Sequence, residues 1–220
     1  MITNATMVNM KKIYWPYLLP LLAFIVFTYA GVWLPPGVYL YYPIKTIVVG
    51  AILYYYRKAY AEITPNFSWL APIVGILVFV VWVLPERLGW NPQIGSSAFD
   101  PYTFGKGWLA YVLIAFRLTG AVIVVPIFEE LFWRSFAIRW LIHENFTNVP
   151  IGTFTWFSCL AIILGFGFEH HQWFVGLLAG VLYNALLYYK KDLFNCIVAH
   201  AMTNLLLGMY VLLTQKWSFW

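Results

Sequence analysis

Of the chain's 220 residues, 63% are hydrophobic and only 10% are charged. A soluble domain carries roughly 25% charge, so a water-soluble globule is excluded: a chain of this size could not hide so much apolar surface. The formal net charge of +5 does not point to nucleic acid, because the cations gather at the ends of apolar runs, where orientation and lipid headgroups account for them.

Apolar stretches near 15–35, 38–56, 67–84, 107–127, 150–168, 172–189 and 193–214 each approach the roughly 20 residues that a membrane-crossing helix needs. They predict an all-α, polytopic transmembrane bundle of seven or eight helices. The ambiguity lies in segment 129–142, mixed polar and aromatic, which is either an extension of the fourth helix or a short, tilted or re-entrant eighth. Pro85, Pro92 and Pro101 with Gly89, Gly95 and Gly105 mark 85–106 as the longest connection. Pro126 removes a backbone donor and disfavours helical geometry at Val125, so a kink or break is expected there. It serves either packing or the aiming of the next residues into a cavity.

Three basic pairs, Lys11-Lys12, Arg57-Lys58 and Lys190-Lys191, fall on one side if the N-terminus is inside, as the positive-inside rule favours. Seven spans then put the C-terminus outside. No small-residue cleavage site follows the first apolar run, which therefore reads as a retained span. With no linker, low-complexity tract or fixed-period repeat, residues 1–220 read as one integral-membrane domain.

Against this background the polar residues stand out. Glu129 and Glu130 are adjacent, and Arg134 is one helical turn from Glu130, at ion-pair spacing. Burying both carboxylates creates a like-charge conflict, and such a group can take a proton from water; a structural charge network is the competing reading. In GFGFEHHQW, His170 follows Phe166 by one turn and can polarise a water or donate to a leaving amine, although a helix-end histidine also serves as a cap. His200 and Asn204 share a helix face and can donate hydrogen bonds to an oxyanion or, as a simple interhelical pair, to a neighbouring helix. Gly165 and Gly167 permit close helix packing, and Asn184 reads as a packing asparagine.

Zinc needs about three protein ligands at a catalytic site, and His170, His200 and Glu129 are the set to weigh. No His-Glu-x-x-His motif is present, so a carboxylate acting on water requires fewer assumptions than a metal. Cys159 and Cys196 lie inside apolar runs with neither Cys-x2-Cys spacing nor an activating neighbour, and no cofactor is indicated. A proton-relaying transporter lacks the expected inverted repeat. A non-catalytic membrane scaffold or immunity-like binding protein remains the alternative to an enzyme.

The order Glu129-Glu130-x3-Arg134, Phe166-x3-His170 and His200-x3-Asn204 resembles the CAAX protease and bacteriocin-processing family of intramembrane glutamic proteases, within a core of about 107–214. It is similar in particular to bacterial CAAX prenyl protease-related proteins. The resemblance implies an intramembrane endopeptidase in which Glu129 with His170 activates water, and His200 and Asn204 stabilise the oxyanion. Glu130 and Arg134 would orient the centre, and no metal is implied. It further implies a groove for the C-terminal part of a membrane-associated, in some relatives prenylated, peptide or protein substrate. Regular hairpins would set His170 and His200 at different depths, so uneven spans or a conical, partly hydrated intramembrane polar cavity open toward one face is expected to reconcile them. Membrane lipids, an exosortase-system association and a bacterial cytoplasmic-membrane location complete these expectations.

Overall fold

The computed structural model describes residues 4–90 and 99–220, with side chains from Ile13 onward. Seven helices dominate the described residues: α1 (Asn4–Trp33), α2 (Val38–Tyr55), α3 (Leu70–Arg87), α4 (Trp108–Trp140), α5 (Trp156–Glu169), α6 (Trp173–Lys190) and α7 (Leu193–Thr214). Segment 129–142 is thus largely the end of α4, not a separate eighth helix. Of the 85–106 connection, Pro92 and Gly95 lie outside the described residues, as do the side chains of Lys11 and Lys12.

Five helices, α1 to α4 and α7, are long and apolar enough to cross a membrane, which supports an integral membrane protein. The expected seven helices are present, and α5 and α6 are the two that fall outside those five. Helix α5 has 14 residues, about 21 Å of rise, against a hydrocarbon layer of roughly 30 Å. Helix α6 has 18 residues but interleaves Gly176, Gly180, Tyr183, Asn184, Tyr188 and Tyr189 among its apolar side chains, which lowers its hydropathy.

Both ends of the bundle are tied by polar contacts. At one end Asp192 caps α7 by accepting from the Asn195 N–H at 2.8 Å, and Asn195 in turn holds the start of α3 through Ser68 N–H (2.9 Å) and the Asn66 carbonyl (2.7 Å). Nearby, Glu62 accepts from Tyr17 at 2.8 Å, from Ser135, and from Arg139 at 3.3 Å, joining α1, the 56–69 connection and the end of α4. Arg57, Lys58, Lys190 and Lys191 lie at this end, so the two described basic pairs share a side. At the opposite end Lys216 Nζ meets Glu86 Oε1 at 3.0 Å, joining α3 to the residues after α7.

Pro126 was expected to kink or break the chain; the chain does not break there, and α4 runs through it. The turn before it widens into a π-helical segment, Gly120–Val124, in which the Val125 N–H reaches back five residues to the Gly120 carbonyl. Widening moves the preceding turn away from the proline ring, which would otherwise strike the carbonyl four residues earlier. A second π segment, Leu131–Ala137, follows the glutamates and contains Arg134, with the Ile138 N–H on the Trp133 carbonyl.

Glycines set the closest helix contacts. An added Cβ at Gly75 would lie 2.4 Å from the Ala199 carbonyl, so α3 rests on the α7 backbone; one at Gly176 would lie 2.9 Å from the Gly167 carbonyl, between α5 and α6. Gly165 and Gly167 make room for the Trp133 ring and Leu177, the close packing expected of them. Gly75→Ala is expected to destabilise the protein by about 1–3 kcal/mol by overpacking, read as a lower thermal midpoint in lipid. Gly50→Ala should be tolerated, because its Cβ would meet only Val124 at 3.9 Å.

Candidate active site

Two elements build the centre. The stretch of α4 between its π segments carries Glu129 and Glu130, which are 4% and 0% exposed, and Arg134 in the next turn is 0% exposed. Facing it, α7 presents His200, seven residues along the helix, also 4% exposed. Charges this deep survive only when paired and hydrogen-bonded. Glu130 Oε1 accepts from Arg134 Nη1 at 3.1 Å and lies 2.8 Å from His200 Nδ1. The same imidazole turns Nε2 toward Glu129 Oε2 at 4.0 Å. His200 therefore stands between the two carboxylates, hydrogen-bonded to one and beyond hydrogen-bond reach of the other.

The guanidinium is held on three sides. Its Nε donates to Asn184 Oδ1 at 3.3 Å, and its carbon sits 4.1 Å from the Phe166 ring centre and 5.3 Å from that of Tyr183. Tyr183 stacks on His200 (centroids 5.2 Å apart, planes 24° apart) and donates its hydroxyl proton to Thr203 Oγ1 at 2.8 Å. Thr203 lies 2.9 Å from the Gly75 carbonyl and 3.1 Å from that of Ala199, sharing one proton between α3 and its own helix. The imidazole plane is thus set by packing as well as by Glu130.

His170 belongs to the same neighbourhood but not to the ion-paired cluster. It closes α5, with Nδ1 2.7 Å from the Phe166 carbonyl. A carbonyl only accepts, so His170 carries its proton on Nδ1 and keeps Nε2 as an acceptor. The Phe166 ring lies 4.7 Å from the His170 ring and 6.1 Å from that of His200, and Trp82 of α3 covers His170 edge-on at 5.2 Å. Phe166, one turn before His170 at the end of α5, brings the two histidines into one neighbourhood, with both imidazole rings within 6.1 Å of its own. Asn204, one turn beyond His200, is half-buried and donates Nδ2–H to the Ala121 carbonyl at 2.7 Å.

Glu129, Glu130, Arg134 and His200 thus converge, His170 adjoins them through Phe166, and Asn204 is tied to the π turn. Glu129 Oε2, Glu130 Oε2 and Arg134 Nη2 are buried with no protein hydrogen-bond partner. Among the described residues, no group of three or more His, Cys, Asp or Glu side chains is arranged to hold a metal ion, so Glu129, His170 and His200 do not assemble as a ligand set. A surface depression of about 440 Å³ lined by Gly50, Leu53, Tyr54, Tyr60, Val124 and Ile127 includes none of the predicted site residues. Tyr183 and Thr203 were not singled out in the sequence. Each directly precedes an asparagine, Asn184 or Asn204, inside an otherwise apolar run, which does not by itself reveal a partner.

Replacing Arg134 with Met would strand Glu130 among apolar side chains, and breaking a buried pair by removing one partner costs about 3–5 kcal/mol. The expected outcome is a large loss of thermal midpoint in lipid. Arg134→Lys should recover only part of it, because a single ammonium cannot reproduce a fork that engages Asn184 and Glu130 from separate nitrogens.

Comparison with known proteins adds a family. Residues 111–206 match the family described as type II CAAX prenyl endopeptidase Rce1-like, a span that contains all six residues predicted for the site. The comparisons with curated proteins and with solved structures each gave no match. An Rce1-like CAAX protease family domain is thus detected over residues 111–206, and the convergent Glu-Glu-Arg-His cluster lies within it.

Proposed function

We propose that the buried centre hydrolyses a peptide bond in a membrane-associated substrate, using Glu129 to activate water. The observation that carries this reading is the asymmetry of the two carboxylates. Each has a buried Oε2 without a protein partner, but Glu130 is held through Oε1 by Arg134 and His200, whereas Glu129 meets His200 Nε2 only at 4.0 Å, beyond hydrogen-bond reach. Glu130 and Arg134 orient the imidazole; Glu129 is left to exchange protons.

In the proposed reaction Glu129 takes a proton from water as the oxygen attacks the scissile carbonyl, giving a tetrahedral oxyanion. His200, with its Nδ1–H on Glu130, would donate toward that oxyanion from Nε2 as the imidazolium, and His170, through its acceptor nitrogen, holds the water. The C–N bond then breaks, and the proton held by Glu129 passes to the leaving amine, returning the carboxylate. A hydrated path to Glu129 from one face of the bundle belongs to this proposal, as do a prenylated C-terminal peptide as one substrate class, an exosortase-system association and a bacterial cytoplasmic membrane as location. One observation favours a second reading, a non-catalytic scaffold: Glu129, Glu130, Arg134 and His200 are all at least 96% buried, as a folding network would be.

A membrane-peptide library presented to the purified protein in lipid distinguishes the two. The protease reading expects cleavage that resists chelators and falls by at least about 10²-fold, the usual contribution of a general base, in the Glu129→Gln variant, with helical content unchanged. Absence of cleavage by the parent protein across a broad library would favour the scaffold.

A further inference from the structure

We infer that Asn204 is a positioning residue: its side-chain amide replaces the backbone donor that Pro126 removes from α4, and so fixes the register in which the glutamates meet His200. The argument starts from the carbonyl it holds. In a regular α-helix the Ala121 carbonyl would accept from the Val125 N–H, and in a π turn from the N–H of residue 126. Neither donor serves it here. The Val125 N–H is spent on the Gly120 carbonyl, and Pro126 has no N–H. A backbone carbonyl left unpaired inside a bundle is costly, and the group that meets it is Asn204 Nδ2, at 2.7 Å.

The consequence is geometric. Ala121 and Glu130 lie on opposite sides of Pro126 in α4, and Asn204 and His200 are one turn apart in α7. The two helices therefore touch at two rungs: Asn204 on Ala121, and His200 on Glu130 at 2.8 Å. Gly120 allows the π turn to press against α2, since a Cβ there would lie 2.7 Å from both Thr46 Oγ1 and Tyr42 Oη. The wide turn is thus held from α2 by packing and from α7 by the asparagine. An amide oriented by a helix carbonyl is set before any substrate arrives. The same device recurs in α1, where Pro20 leaves the Pro16 carbonyl without its helical donor and the Tyr60 hydroxyl supplies one at 2.7 Å.

Two arms test the inference, and only the kinetic one rests on the protease reading. In lipid nanodiscs, amide hydrogen exchange of Asn204→Ala should be about fivefold to tenfold faster than in the parent across 119–125, as expected for loss of one hydrogen bond, with α5 and α6 unchanged. On a cleavable peptide, Asn204→Ala should lower kcat with little change in KM. Pro126→Ala should mask that loss, because the new N–H, or Val125 in a regular register, can take the Ala121 carbonyl. The double variant should then differ from Pro126→Ala by less than about threefold, the non-additivity expected of coupled sites. Unchanged exchange at 119–125, or an equal kcat loss in both backgrounds as for a direct oxyanion donor, overturns the inference. If Pro126→Ala or the parent is inactive, the exchange arm decides alone, and an inactive parent counts against the protease reading only.

Discussion

The bundle is organised around the ionised groups it buries at Glu130. This fully buried carboxylate takes a guanidinium from its own helix and an imidazole from α7. Both must arrive at fixed places, because an ion pair inside a bundle is tolerated only with good geometry and satisfied neighbours. That demand reaches outward: Asn184 of α6 and Phe166 of α5 complete the guanidinium, Tyr183 of α6 sets the imidazole, and Thr203 carries the chain of contacts to α3.

Irregularity in α4 makes this arrangement possible. A regular helix through Pro126 would meet a steric clash and would free the Val122 carbonyl, four residues earlier, in place of that of Ala121. The π segments on either side of the glutamates absorb the proline and turn the acidic pair, while leaving a carbonyl for α7 to bind. Glycines at the α3–α7 and α5–α6 contacts then let backbones approach without side chains intervening. Packing of small residues and a few buried polar ties hold the helices together, as expected where lipid removes the usual hydrophobic drive for helix association.

Much of this was legible in the residues. Length and hydropathy of the apolar runs were sufficient for the all-α membrane bundle, and one-turn spacing was sufficient for the Glu130–Arg134 pair and the Phe166–His170 contact, because both are local. Spacing could not show that His200 would lie between two carboxylates, since that depends on how α4 and α7 register, nor that α5 would be only 14 residues long. Pro126 illustrates the limit well. Its missing N–H was readable, but whether the chain breaks, kinks or widens depends on whether a neighbour can satisfy the freed carbonyl, and Asn204 is 78 positions further along. Tyr183 and Thr203 escaped notice because a hydroxyl in an apolar run has no distinguishing pattern until its partner is known.

A hydrolytic centre must admit water to Glu129, whereas a folding network has no such need. The most direct measurement is therefore modification of the Glu129→Cys variant by a small water-soluble methanethiosulfonate in lipid nanodiscs, with the parent protein, whose Cys159 and Cys196 are both buried, as the control. The account predicts reaction at position 129 in the folded variant and none in the parent. A folded Glu129→Cys variant that stays unmodified would contradict it.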